Sequence, residues 1–154
     1  MYWDKQGGEN TRATIAAALK RAGELGVKHL IVASFSGKSA ELLLDRAGEF
    51  EIVCVTHQVG FAMPGEDEMT AETRNRLTEG GIRVLTTTHL MAGLDRACRI
   101  KFGGVYPAEI VASALRILGQ GLKVCVEVSG MALDAGLIPH GVDIISLGGT
   151  GEGL

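Results

Sequence analysis

Cysteine is scarce and scattered: Cys54, Cys98 and Cys125 are the only three in 154 residues, and no two form a C-x-x-C pair. That excludes a disulfide framework and fits a reducing compartment. Cys54 and Cys125 stand inside apolar runs, where cysteine behaves as a small buried hydrophobe rather than a nucleophile or metal ligand. An excess of one charge sign is also lacking. Fifteen Lys and Arg against 18 Asp and Glu leave a net charge of -3, which argues against a nucleic-acid-coating surface. Long apolar runs are missing, the longest reaching about a third of the ~20 residues that cross a bilayer. The opening MYWDKQGGEN has neither the basic nor the apolar region of a signal peptide. A soluble, cytoplasmic protein without nucleic-acid or membrane partners is the expectation. Aromatics make up only 5% of the chain, yet 46% of it is apolar, which rules out global disorder. A chain of this size buries about 70% of its unfolded surface in one core, so a single domain over residues 1–154 is expected.

Glycine is plentiful instead, at 22 residues, about twice the usual ~7% share, and it falls between apolar segments. Asn10-Thr11 suits a helix start, with Ile15, Leu19, Ala22 and Leu25 on one face and Gly23 and Gly26 near the stop. Leu30-Ile31-Val32-Ala33 reads as a strand buried on both faces. Ser34-Phe35-Ser36-Gly37-Lys38-Ser39 breaks it and opens a helix running through Leu44 to about Ala47. Ile52 to Thr56 forms a second strand, followed by a loop from His57 to Glu68 that ends in an acidic run read as solvated. Thr70 caps a polar helix ending at Gly80-Gly81, and Ile82 to Leu85 is a third strand. Leu90 to about Arg96 suggests a short helix, and Pro107 opens another with Ile110, Val111, Ala114, Leu115 and Leu118 facing inward. Leu122 to Val128 reads as a fourth strand and Val142 to Leu147 as a fifth. Strands alternating with helices imply parallel crossovers and a three-layer α/β domain.

Ligands of open parallel sheets bind beyond the carboxyl ends of the strands, and small donor-rich residues crowd that edge here. The sharpest signal is Ser34 to Ser39, where a strand enters, Gly37 allows a turn, and hydroxyls, amides and Lys38 converge as a phosphate would require. The alternative is a helix capped by Ser36 or Ser39 with Lys38 in solvent. A Walker A loop is excluded, since Val32 stands where its first glycine belongs. Gly148-Gly149-Thr150-Gly151-Glu152-Gly153 follows the last strand; it either admits a ring or phosphate close to the main chain or is a flexible tail. Thr56 and His57 end the second strand, and His57 and His89 follow neighbouring units and could face each other, with metal binding disfavoured for want of a third ligand. Glu127, placed at the end of the fourth strand beside Lys123 and Cys125, either holds a ligand hydroxyl or ring N–H or emerges into water. Arg96, Arg99 and Lys101 precede Phe102-Gly103-Gly104-Val105-Tyr106-Pro107, a basic patch able to meet an anion or stack an aromatic ring. Tyr2 and Trp3 are candidates to close the edge of the core.

His29 to Ala40 continuing to Ile52–Thr56 resembles the C-terminal α/β domain of pyruvate kinases, whose T-x-S-G-x-S/T loop holds a phosphate of a sugar-bisphosphate activator. The resemblance gives Ser34, Ser36, Gly37, Lys38 and Ser39 a phosphate-cradling role. The whole chain is similar to stand-alone prokaryotic, largely archaeal, proteins of this type. The matching residues are Glu9-Asn10-Thr11, Val55-Thr56-His57, Gly60-Phe61, Pro64-Gly65, Thr88-His89, Phe102 to Pro107, Met131 to Pro139 and Gly148 to Gly151. The resemblance implies an α/β/α sandwich, mainly parallel, of about five strands in the order 3-2-1-4-5. It also implies that the barrel carrying the kinase active site is absent, so pyruvate kinase activity is not expected. Such proteins usually continue past the last glycine loop into a further strand and hairpin, which this sequence does not show.

On these grounds the expected ligand is a phosphorylated small molecule, with flavin mononucleotide first. Its phosphate would sit on Ser34–Ser39, with Phe35 in the same loop. Its ring would lie across Gly103-Gly104 and Gly148-Gly149-Thr150-Gly151, its polar edge meeting Thr56, His57 or Glu127. The alternative is a regulatory or interaction module that binds a sugar phosphate or no ligand. Homo-oligomer formation stays open, and no catalytic residue is assigned.

Overall fold

The apolar runs ending in Ala33 and Val55 become adjacent strands with scarcely any exposure. β1 (His29–Ala33) pairs with β2 (Glu51–Val55), β2 with β3 (Arg83–Leu85), and β1 on its other side with β4 (Ile144–Leu147). All pairings are parallel, in the order β3-β2-β1-β4, with Leu30 opposite Ile52 on one side and Ile145 on the other. Alternation along the strands divides the core. Leu30, Val32, Ile52 and Cys54 pack with Ile15 and Ala22 of α1 (Thr11–Leu25) and Leu77 of α3 (Ala71–Glu79). Ile31, Val53 and Val55 pack with Val128, Met131 and Ala132 of α6 (Gln120–Asp134). Helices therefore cover both faces, giving the α/β/α layering. The structure describes every residue except Met1, Tyr2, Gln6 and Glu152, so the readings of Tyr2 and Glu152 lie outside the described residues. Trp3 is exposed rather than closing the core. No helix of the described residues is long and apolar enough to cross a membrane.

Five expectations are corrected. The segment from Leu122 to Val128 is helix, not strand: it lies within α6, and the sheet of the described residues has four strands. Its alternating valines mimic a strand over seven residues. Over fifteen, the buried positions Lys123, Glu127, Val128, Met131 and Ala132 follow a helical period, and packing of that face overrides the valines' strand preference. The strand expected fifth is β4 and joins β1 directly. The helix after Gly37 breaks into one turn, α2 (Lys38–Glu41), and a 3-10 turn at Leu44–Arg46. The helix expected at Leu90 starts later and runs longer, as α4 (Gly93–Phe102). In α5 (Pro107–Arg116) the apolar face points outward, and the side turned inward carries Ala112.

Asn10 does precede α1, but its side chain donates to the Lys5 carbonyl instead of capping the helix. Thr70 caps α3 as expected, its hydroxyl accepting from the Thr73 amide at 3.1 Å. Glu66 and Asp67 are exposed as expected, though Asp67 also accepts from Arg74 and from the Met69 amide, whereas Glu68 is half-buried and bonds His57.

Cys54 is fully buried, and burial pushes its thiol up to about 12 against the opposing pull of Arg74. Since the thiolate is the reactive form, Cys54 is expected to resist a thiol reagent at pH 8 in the native protein and to react only in denaturant. Mass mapping of the labelled peptides checks this, and rapid native labelling would place the side chain outside the core.

Candidate functional site

The chain adds β2 and β3 on one side of β1 and then crosses to add β4 on the other. Strand order therefore reverses between β1 and β4, and the carboxyl ends of these two strands flank the crevice where parallel α/β sheets take ligands. The Ser34–Ser39 loop leaves β1 there, and the Gly148–Gly153 loop leaves β4.

Two cavities open at this point and share Ala33, Ser34, Phe35, Gly151 and Gly153. The first, about 400 Å³, is walled by Ser36, Lys38 and Ser39, with Arg12 coming from the start of α1. Its lining holds two cationic residues and four hydroxyl residues, counting Ser34 and Thr11, together with one acid, Glu9. Ser34 is buried, and its Oγ accepts the Ser39 amide at 3.2 Å, which holds the loop in shape. That amide is thereby consumed, and α2 spans only four residues. An anion at this corner would therefore meet hydroxyls and cations more than a helix dipole, which needs longer alignment of peptide units.

The second cavity, about 320 Å³, lies over the ends of β1 and β2. His57 is sandwiched there, its centroid 5.1 Å from Phe35 at 13° and 3.9 Å from Phe61. Its Nδ1–H donates to Glu68 Oε2 at 2.7 Å, which leaves Nε2 as the free ring nitrogen. His89 stands edge-on to His57 at 5.4 Å, as the sequence suggested. Burial holds the His89 imidazolium below its ordinary range, a shift opposed by the charge of Glu127 and aided by His57, Lys123 and Arg96. A neutral His89 beside a carboxylate-anchored His57 can exchange protons or hydrogen-bond a polar ring edge. On the α6 wall Lys123 and Glu127 form a buried ion pair one turn apart, and the second Glu127 oxygen accepts the Met91 amide at 2.7 Å. Arg96 and Arg116 complete the rim. Among the described residues, no group of three His, Cys, Asp or Glu side chains is placed to hold a metal ion.

A family model describing the pyruvate kinase alpha/beta domain matches residues 12–154. The chain belongs to this family. The expected resemblance and the α/β sheet fold are thus established, with four strands in place of about five.

Within this pyruvate kinase alpha/beta domain, the expected site residues separate into groups. Ser34, Phe35, Ser36, Lys38 and Ser39 line the first cavity, and Thr56, His57, Glu127 and Gly149 the second, with Gly151 in both. Gly37 is buried beneath the loop and shapes it. Thr56 is less available than expected, because its hydroxyl is engaged by Thr86 at 2.6 Å and by the His57 and Leu85 carbonyls. Glu127 projects from mid-helix, one turn from Lys123, while Cys125 points elsewhere and bonds the Ser146 carbonyl. Gly148 serves close packing: a Cβ there would lie 2.9 Å from the Gly121 carbonyl oxygen of α6. Thr150 is exposed and lines neither cavity. Gly103 lines neither, and Gly104 lines a separate depression between α4 and α5, so the two glycine loops do not jointly flank one ring. Of the basic patch, only Arg96 reaches the second cavity; Arg99 pairs with Glu109, and Lys101 lies over Phe102. The last glycine loop is docked rather than loose, since the Leu154 amide donates to Thr11 Oγ1 and Leu154 is buried.

Arg12, Glu68, Arg116, Gln120 and Lys123 were not foreseen at the site. Lys123 and Glu127 carry the one local signal that was available, opposite charges four residues apart on what proves to be a helix.

Proposed function

We propose that this domain binds a phosphorylated small molecule across the β1/β4 crevice, with flavin mononucleotide the first candidate. The observation that carries the reading is the junction of two unlike cavities over Ser34-Phe35. One offers hydroxyls with Lys38 and Arg12, which suits a phosphate. The other offers aromatic faces with His57 and Glu127, which suits a flat polar ring. The ring belongs against Phe35 and the Gly149–Gly151 side rather than across Gly103-Gly104. A sugar phosphate is the second reading, favoured because His57 is already stacked between Phe35 and Phe61. In that case Glu127, Gln120 and Arg116 remain for hydroxyls.

Native mass spectrometry and absorbance of the purified protein, then thermal shift with flavin mononucleotide and with phosphorylated sugars, test the reading. A flavin spectrum or a flavin-dependent rise in melting temperature supports the first candidate, and a response to sugar phosphates alone the second. A response to neither rejects both. Replacing Ser36 and Lys38 together by alanine is expected to weaken the phosphorylated ligand by roughly 2–3 kcal/mol, the size of one charge-assisted and one neutral hydrogen bond. Titration calorimetry should show that loss for the phosphorylated ligand and none for its dephosphorylated counterpart.

A further inference from the structure

The second cavity gathers an acid–base set that holding a ligand does not by itself require. Phe35 and Phe61 cover the faces of the His57 ring, and its Nδ1 is bonded to Glu68. What His57 presents to the cavity is therefore the edge that carries Nε2. A carboxylate on Nδ1 fixes the tautomer in which Nε2 is a bare acceptor. It also stabilises the imidazolium that forms when Nε2 takes up a proton. His89 stands edge-on to this ring at 5.4 Å, and its ring nitrogens have no hydrogen-bond partner among the described residues. The loop that carries it is tied on two sides, the His89 amide lying 3.5 Å from Gln58 Oε1 and the Met91 amide donating to Glu127. Two imidazoles thus meet over one space. One offers a lone pair and the other an uncommitted N–H, on a ring that burial keeps neutral.

The rest of the lining selects the reaction. The hydroxyls of Ser34 and Thr56 are buried and bonded within the protein, and Lys123 is ion-paired with Glu127. Among the described residues of this cavity no nucleophile is left free beside His57, so its base has a proton of the ligand to act on. Lys123, Arg96 and Arg116 outnumber Glu127, the one carboxylate of the described lining. Surplus positive charge in a half-enclosed site favours negative charge developing on a ligand oxygen. Removing a proton from the carbon next to a carbonyl produces that charge. We propose that this cavity interconverts aldose and ketose phosphates, with His57 as general base and His89 as the proton carrier between the two oxygens. The inference rests on the sugar-phosphate reading, with the phosphate at Ser34–Ser39 and the carbonyl end in the second cavity. His57 Nε2 takes the proton from the hydroxyl-bearing carbon, and the C–H electron pair becomes the carbon–carbon double bond of an enediol. The carbonyl oxygen receives the proton of His89, which regains one from the neighbouring hydroxyl. His57 then returns its proton to the former carbonyl carbon, so both imidazoles end as they began. Glu68 acts through His57 and is a positioning residue.

The test is proton exchange in deuterium oxide, followed by NMR, with dihydroxyacetone phosphate, ribulose 5-phosphate and fructose 6-phosphate as probes and thermal shift run beside it. At least one probe is expected to raise the melting temperature and to exchange the proton next to its carbonyl faster than in protein-free buffer. His57→Gln and His89→Gln should each slow that exchange roughly 100-fold or more, the usual contribution of a general acid or base. Glu68→Gln keeps an oxygen that can accept from Nδ1 but loses the charge. It should lower kcat about tenfold or more and leave KM nearly unchanged, a split that a merely structural role does not give. Circular dichroism confirms that the variants fold. A probe that binds without exchanging overturns this inference and leaves the binding reading standing. Three probes that neither bind nor exchange overturn both the inference and the sugar-phosphate reading. Exchange that persists in folded His57→Gln, or a Glu68→Gln protein with the kcat of the parent, also overturns it.

Discussion

Lys123→Met is expected to lower the stability of the domain by roughly 3–5 kcal/mol, the usual result of removing one partner from a buried ion pair. In a chain of this size that is about 6–20 °C of melting temperature. Lys123 and Glu127 are each 5% exposed, on the α6 face turned toward the sheet. Methionine fills the space of the lysine stem but leaves the Glu127 carboxylate with the Met91 amide as its remaining bonded partner. Pairing the change with Glu127→Leu removes the stranded charge. The double variant then owes chiefly the orphaned Met91 amide, about 1–3 kcal/mol. It should melt above Lys123→Met alone, and a double-mutant cycle by denaturant unfolding measures the coupling. A loss under about 1 kcal/mol for Lys123→Met would mean that Arg96 or Arg116, from the same cavity, takes over the carboxylate.

That pair also shows where the sequence was legible and where it was not. Several signals confined to one turn were read correctly, although Asn10 does not cap α1. Thr70 caps α3, Gly26 closes α1, and the doubly buried runs of β1 and β2 left no other placement for so many apolar atoms. The Ser34–Ser39 loop was legible for the same reason, because strand, glycine and turn follow one another directly. What failed needed tertiary context. The valines at 124, 126 and 128 satisfy a two-residue period, while only 124 and 128 share a helical face, and the packing of Met131 and Ala132 on Ile31 and Val53 decides for the helix. The α5 face was read inward because an apolar stripe normally faces its own core; in this chain the core is already closed by α6. Arg12 and Glu68 come to the site through the docking of α1 and the His57–Glu68 bond. Neither leaves a mark in local spacing.

The loop itself yields the second large effect: Gly37→Val should cost roughly 2–5 kcal/mol. Gly37 has φ +89°, a left-handed conformation that costs an L residue about 1–2 kcal/mol and is worst for a β-branched one. Space is also lacking: a Cβ at this position would lie 2.4 Å from Thr73 Cγ2 and 3.3 Å from Met69 Cε. Thr73 is the residue whose amide Thr70 caps, so relieving that clash disturbs the first turn of α3, and overpacking of this kind adds about 1–3 kcal/mol. Gly37→Ala shares the backbone penalty and the Cβ contact but not the branch, and should fall at the lower end. Thermal and denaturant unfolding give both values. Because Gly37 sits between the Ser36 and Lys38 that face the first cavity, both variants should also lose affinity for phosphorylated ligands. Ser36 and Lys38 are intact in each, so a ligand that binds Gly37→Ala as tightly as the parent would show that its phosphate is held somewhere other than this turn.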